Sequence, residues 1–227
     1  MPRLHLVELE DLPWFPAPVR DAGTGYLQFM IHAGDAYAPA IPLLAQAVRR
    51  SGATRLVDLC SGGGGPWRRL KGELAAAGLD LPILLTDKFP NPGAADAIHG
   101  NRAMDGVTFH PTPVDARHVP ATIGGFRTMF TAFHHFRMLL APFIVLLLMP
   151  WVRPFRLSNL LVTYLIPLVP LMILWDGIVS ALRTYDVREL QSLVDAVKGG
   201  ERFHWDLGEL PAKGPIPITY LIGTPRT

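Results

Sequence analysis

The chain has 227 residues, a usual length for one α/β domain that carries an insertion. Its net charge is only +2, and 18% of its residues are charged. The sequence shows no basic stripe of the kind that would favour a nucleic acid partner. A single cysteine excludes an intramolecular disulfide and a multi-cysteine zinc site, so we expect no metal centre and a reducing, cytoplasmic setting. Residues 1–8 carry an acid, Glu8, and lack an apolar core, which argues against a secretory signal.

Residues 1–50 are predicted to form an N-terminal helical cap, with helices over 19–31 and 40–50 after three closely spaced prolines. Tyr26, Gln28 and Phe29 are candidates for contact with a ligand. Plain packing is the simpler interpretation of each.

The most informative stretch is 55–67. An apolar run over 56–59 contains Asp58 and is followed by four consecutive glycines, at 62–65. The run predicts a buried parallel strand, the glycines a tight turn, and the proline at 66 the first turn of a helix that extends to residue 77. Strand, glycine turn and helix are the nucleotide-binding opening of a doubly wound α/β domain.

The glycine spacing restricts the ligand. A dinucleotide fingerprint, G-x-G-x-x-G, would place its third glycine at position 67, which is Trp67. The Gly-Lys-Ser/Thr of a Walker phosphate loop is also absent from the stretch.

What remains is acid-x-Gly-x-Gly-x-Gly, with Asp58, Cys60, Gly62 and Gly64 in the four places. This pattern resembles motif I of the class I, Rossmann-like S-adenosylmethionine-dependent methyltransferases, with Cys60 replacing the first glycine. The resemblance implies that these four residues and Ser61 bind S-adenosylmethionine, with the turn beside its methionine part.

A second strand is predicted over 81–88, with Asp87 at its carboxyl end, where ligands of open α/β sheets bind. A carboxylate there can accept hydrogen bonds from both hydroxyls of a ribose. The methyltransferase resemblance implies the same role for Asp87, beside Lys88. NAD enzymes use this position too, and a solvated turn acid is the plain alternative.

A third strand is predicted over 106–110, and the following residues, 113–120, resemble the acid-Ala stretch that lies beside adenine in the family. By that resemblance Asp115 accepts from the adenine amino group and the backbone at Ala116 bonds the ring. An exposed loop acid is the alternative. This third match, in order after the first two, favours S-adenosylmethionine over NAD.

A fourth strand is predicted from residue 126, and the loop after it contains Phe-His-His-Phe, similar to small-molecule and lipid methyltransferases. His134 and His135 are candidates for a general base, because imidazole titrates near neutrality. Both could instead merely line the pocket.

The expected pattern fails after residue 136, because no room remains for the crossover helix that a fifth parallel strand needs. Either residues 142–149 form a strand on a very short link, or a segment is lacking. The surrounding apolar block, 137–183, has three interpretations: a lid over the substrate pocket, a membrane-docking hairpin, or a dimer interface. Asp176 and Arg183 at its end are expected to pair with each other or to touch substrate.

Asp186 and Glu189 have capping-box spacing at the start of a helix predicted over 187–198. Two final strands, over 201–207 and 216–222, should form an antiparallel pair. The resemblance implies that the last strand inserts antiparallel into the main sheet.

The sequence therefore predicts an α/β, Rossmann-like, doubly wound and mostly parallel sheet with an antiparallel last strand, N-terminal helices and an apolar helical insertion. We divide it into a cap (1–50), a cofactor-binding core (51–136), the insertion (137–183) and a C-terminal helix with two strands that complete the core (184–227). The expected function is S-adenosylmethionine-dependent methyl transfer to a small, apolar or lipid-like acceptor, in the cytoplasm or at the inner face of the membrane. A nicotinamide-dependent oxidoreductase and a non-catalytic, membrane-associated protein are the alternatives, and a homodimer is an open expectation.

Overall fold

The computed structural model describes residues 6–130, 141–153, 155–183, 185–211 and 217–226. Its centre is a parallel sheet of four short strands, β1 (Leu56–Leu59), β2 (Ile83–Leu85), β3 (Val107–Phe109) and β4 (Phe126–Met129), in the order β3-β2-β1-β4. In the register of the sheet, Asp58 lies opposite Leu85 on one side and Thr128 on the other. Because β2 and β4 flank β1, the chain changes direction across the sheet there, and the carboxyl ends of β1 and β4 border a crevice.

The two faces of the sheet are covered differently. One face packs against helices α2 (Ile41–Ser51), α3 (Trp67–Ala76) and α4 (Pro92–His99). On the opposite face, Val57, Leu59 and Leu84 pack against Val114 and Ile123. These last two belong to the link that carries the chain from β3 at one edge to β4 at the other. The fold is compatible with a Rossmann-like architecture, but helices on both faces are not seen in the described ranges.

The last two strands, β5 (Phe203–Leu210) and β6 (Ile218–Pro225), form the expected antiparallel pair. They make a separate two-stranded sheet, so the described part of the chain does not show the last strand inserted into the parallel sheet. The physical reason lies after β4, where the described residues form an apolar helix and no fifth parallel strand that the pair could extend. β6 instead lies against α2, and β5 against α8 (Val187–Asp195). The predicted capping box between Asp186 and Glu189 at the start of α8 is present.

The described part of the apolar block is mainly helical, and the alternative of a strand over residues 142–149 is wrong. It contains α5 (Ala141–Leu148), α6 (Leu157–Leu160) continued by a π-helical turn (Leu161–Leu165), and α7 (Leu168–Arg183). An apolar run of this length between prolines does not reveal by its pattern alone whether it is helix or strand. Contacts with other parts of the chain determine that this run is helical.

Those contacts form a second hydrophobic core. The long N-terminal helix α1 (Ala17–Gly34) presents Val19, Ala22 and Tyr26 to Val145 of α5 and Met172 of α7, and all five side chains are buried. The N-terminal cap and the apolar insertion are therefore packed as one unit. Burial of this kind is worth about 1.5–3 kcal/mol for each large side chain.

Candidate functional site

Asp58 is the buried centre of the crevice. Only 1% of its surface is exposed, and its carboxylate accepts hydrogen bonds from Ser61 Oγ and Thr128 Oγ1, each at 2.7 Å. Burial raises its pKa to about 6, and the two hydroxyl donors oppose that rise. The buried indole N–H of Trp67 also favours the charged carboxylate, although no hydrogen bond of ordinary geometry joins the two. Asp58 therefore fixes β1, β4 and the glycine turn to one another.

The turn after β1 has a backbone that demands small residues. Cys60 has φ +56°, which is left-handed and strained for a residue with a side chain, and Gly62 and Gly64 have φ +51° and +112°. Glycine adopts such a positive φ without strain, whereas Cys60 carries a Cβ there. Cys60 is exposed at the mouth of the crevice, but partial desolvation of its thiol, followed by the negative charges of Asp87 and Asp58, raises its pKa to about 11, so the thiol stays protonated near neutrality.

Asp87 contacts this turn. Its Oδ2 accepts from the backbone N–H of Gly62 at 2.7 Å, and its Oδ1 accepts from the N–H of Phe89 at 2.8 Å. Each oxygen keeps lone-pair capacity for one more donor. Burial raises the pKa of Asp87 above its ordinary value, and these two backbone donors counteract the rise. Lys88, next in the chain, also lines the crevice, with Nζ 5.3 Å from the centre of the Phe89 ring.

The third predicted contact is not brought to the crevice. Asp115 is engaged by Arg117, with Nη2 to Oδ2 at 2.6 Å and Nε to Oδ1 at 3.0 Å, and this partner holds its pKa well below the usual range. Ala116 packs against the core on the far face of the sheet. Neither residue lines the crevice. A role beside adenine would require Asp115 to exchange Arg117 for the ligand.

Two expectations fall on residues that the structure does not describe. His134 and His135 lie outside the described residues, so their candidacy as general bases stays a prediction. Within the described ranges, no three His, Cys, Asp or Glu side chains are grouped in a way that could hold a metal ion.

Helix α1 forms one wall of the crevice. A Cβ built on Gly63 or Gly64 would come within 3.1 Å or 2.7 Å of the amide of Gln28, so the glycines allow the helix to approach the turn. Gln28 itself lines the crevice. Tyr26 is buried in the second core and Phe29 packs against that core, so packing is the correct interpretation of these two.

The sequence did not single out the acids of the N-terminal segment, yet these acids form part of the crevice. Glu8, Glu10 and Asp11 line it. Burial, then the charges of Asp176 and Glu8, raise the pKa of the half-buried Glu10 to about 8. The only local signal is an acid-rich run before Pro13, which is equally typical of a solvated segment.

Asp176 places that segment. Its two carboxylate oxygens accept from the backbone N–H groups of Leu9, at 2.6 Å, and Glu10, at 3.1 Å. Arg183 pairs with Glu8 at 3.3 Å and lies 4.0 Å from Asp11. The expected pairing between Asp176 and Arg183 is therefore replaced by two separate contacts to the N-terminal segment.

The crevice has a volume of about 1780 Å³ and extends from the glycine turn to β6. Single small-molecule sites usually measure about 300–1,000 Å³, so this space is large enough for a cofactor and an acceptor together. Most of its charged lining is acidic. The acids are Glu8, Glu10, Asp11, Asp21, Asp58, Asp87, Asp186 and Glu209, and the bases among the described residues are Arg20, Lys88, Arg127 and Arg183.

Comparison of the chain with protein-family models, with curated proteins and with solved structures finds no match in any of the three. Fold and crevice together define an α/β protein with a parallel four-stranded sheet, compatible with a Rossmann-like fold, and a ligand-sized crevice at the carboxyl ends of its strands.

Proposed function

We propose that the protein is an S-adenosylmethionine-dependent methyltransferase that binds its cofactor in the crevice beside the glycine turn. The observation that carries the proposal is the contact between Asp87 and the turn, with Oδ2 2.7 Å from the backbone nitrogen of Gly62. It brings the first two matches to the methyltransferase pattern together from positions 25 residues apart. It also leaves both carboxylate oxygens able to accept from a ribose hydroxyl.

The charge of the crevice supports this cofactor over a nicotinamide dinucleotide. S-adenosylmethionine carries a sulfonium cation, whereas a dinucleotide carries an anionic pyrophosphate. The described acids lining the crevice outnumber the bases, and one base, Arg20, already donates to the backbone oxygens of Glu10, at 2.9 Å, and Leu12, at 2.8 Å. Opposite charges attract most strongly where water is partly excluded.

Trp67 supports the same choice. In the dinucleotide fingerprint the third glycine allows close packing between helix and strand. Here that position is a fully buried tryptophan at the start of α3, with its ring edge-on to Phe130 at 5.7 Å between ring centres. The start of α3 is therefore filled by a large side chain at the place where a dinucleotide site needs none.

The proposed roles follow from these contacts. Asp87 would hold the ribose, the turn from Cys60 to Gly64 would support the methionine part, and Asp58 would keep the turn in place. The bound cofactor supplies a methyl group already activated by its sulfonium, which an O, N or C nucleophile takes as the carbon–sulfur bond breaks. The protein would contribute mainly alignment of the two partners and exclusion of water. We assign no general base among the described residues.

Calorimetric titration of the purified protein with S-adenosylmethionine, S-adenosylhomocysteine and NADH tests the proposal. We expect both sulfur ligands to bind and NADH to bind at least tenfold more weakly. Tighter binding of NADH would favour the oxidoreductase alternative. Absence of binding by both sulfur ligands would refute the methyltransferase proposal.

A further inference from the structure

The apolar insertion has two faces with different surroundings. On α7, Val169, Met172 and Ile173 are buried against α1. The opposite side of the same helix carries Leu168, Leu171, Trp175, Ile178 and Leu182, which are all exposed and recur at helical spacing. An amphipathic helix of a soluble protein would carry polar residues on that side. This face is apolar instead, and no described residue covers it.

The exposed apolar surface continues beyond α7. Phe143 and Leu147 of α5 are each 67% exposed, and at the bend before α7 Leu165 is 73% exposed. The hydroxyl of Tyr164 donates to the backbone oxygen of Leu146, which ties this bend to α5. We call the exposed apolar residues of α5, the bend and α7 the outer face.

The outer face is better suited to hydrocarbon than to another protein. Protein interfaces carry about one hydrogen bond per 100–200 Å². The exposed large residues of the outer face are Phe143, Leu146, Leu147, Leu161, Tyr164, Leu165, Ile166, Leu168, Leu171, Trp175, Ile178 and Leu182. Their few polar groups are already used, since Tyr164 donates to Leu146 and the indole of Trp175 donates to Val7 at 3.0 Å.

The charges around this face complement an anionic membrane surface. Residues 137–183 contain four arginines and one acid. That acid, Asp176, is buried and hydrogen-bonded to the N-terminal segment. Two of the arginines are paired with acids of the N-terminal part of the chain, Arg183 with Glu8 at 3.3 Å and Arg156 with Asp21 at 3.9 Å. Arg153 is exposed, and its guanidinium donates to the backbone oxygen of Pro150, at 3.1 Å, with no described acid in contact. The exposed Trp151 lies beside it, and aromatic residues of this kind are enriched at headgroup level.

The described helices of the insertion are short, and they are bent relative to one another. No single helix of the described ranges is both long and apolar enough to span a bilayer. The pair Leu157–Leu165 and Leu168–Ser180 meets the criterion only when joined, across a bend of 76°. To span, α7 would have to pull Val169, Met172 and Ile173 out of the core that they share with α1.

We propose that the outer face docks the protein on the surface of an anionic lipid bilayer, with its apolar side chains among the acyl chains and Arg153 at the headgroups. This inference does not depend on the proposed activity, because docking requires no cofactor. Helix α7 carries part of the outer face and also carries Ser180 and Arg183, which line the crevice.

The test is co-sedimentation of the full chain with phosphatidylcholine vesicles that contain 30% or no phosphatidylglycerol, with sedimentation velocity in the absence of lipid. We expect binding to the anionic vesicles, weakened at least tenfold by Leu165→Glu and by Leu171→Glu, which change two different elements. Val197→Glu is the matched control, an exposed apolar residue after α8 that should change binding less than twofold. Arg153→Gln should reduce the preference for anionic lipid.

All three glutamate variants are at exposed positions and should retain the cooperative thermal unfolding of the wild type. Failure of the wild type to bind either vesicle would overturn the proposal. A dimer in the absence of lipid that Leu165→Glu dissociates would overturn it as well, because the outer face would then be the interface with a second copy. Equal binding by the wild type and both outer-face variants would also contradict it.

Discussion

Replacement of Asp58 with Asn should remove a pH dependence of stability that the wild type shows between about pH 4 and pH 6. The pKa of Asp58 is about 6 in the folded protein, against an ordinary value of 3.8. Because the folded value is raised, the contribution of Asp58 to stability is fully present below pH 3.8 and is lost as the pH rises through 6. A difference of about 2 units, at 1.36 kcal/mol per unit, corresponds to roughly 3 kcal/mol.

The assay is urea unfolding of the wild type and Asp58→Asn at pH 4, 5, 6 and 7. An asparagine cannot ionise, so the free energy of unfolding of the wild type should fall relative to the variant by most of this amount, roughly 2–2.5 kcal/mol, between pH 4 and pH 7. Altered hydrogen bonds to Ser61 and Thr128 add an offset that is largely independent of pH. Asp96→Asn removes an exposed carboxylate of α4 and should give a curve parallel to that of the wild type. Parallel curves for the wild type and Asp58→Asn would refute the reasoning.

Two further substitutions test the packing, one at the crevice and one in the second core, each against a neighbouring control. Gly125→Ala should destabilise the protein by about 1–3 kcal/mol, because φ is +141° and the new Cβ would lie 2.9 Å from the backbone oxygen of Arg55. Gly124→Ala, where no atom lies within 4 Å, should cost far less in the same thermal unfolding assay, and equal losses would contradict the strain argument. Met172→Ala should cost about 2–5 kcal/mol by leaving a cavity in the second core. Leu171→Ala, on the exposed side of α7, should stay within about 0.5 kcal/mol, and a similar loss for both would show that the second core is not packed as described.

The parts of the fold that depend on local patterns could be predicted from the sequence. The run over 56–59 and the glycines after it determine a strand and a turn within about ten residues, and the structure confirms both. The capping box of Asp186 and Glu189 is equally local. Antiparallel pairing of β5 and β6 needed only two nearby apolar runs.

The parts that depend on distant contacts could not be predicted. The carboxylate of Asp176 binds backbone groups 167 and 166 residues earlier, and no spacing rule connects those positions. The same holds for the helical state of residues 141–148, which is decided by a core shared with α1. The adenine role of Asp115 rests on the resemblance of residues 113–120 to an acid-Ala stretch and stays a prediction, although the pairing of Asp115 with Arg117 is not part of that resemblance.

The most direct test of the central claim is a calorimetric titration of Asp87→Asn with S-adenosylhomocysteine beside the wild type. A hydrogen bond to a charged group is worth about 1.5–3 kcal/mol, so we predict roughly 10- to 100-fold weaker binding by the variant. Asp105→Asn, an exposed substitution before β3 and outside the crevice lining, should bind as the wild type does. Equal affinity of the wild type and Asp87→Asn, or no binding by the wild type, would contradict the account.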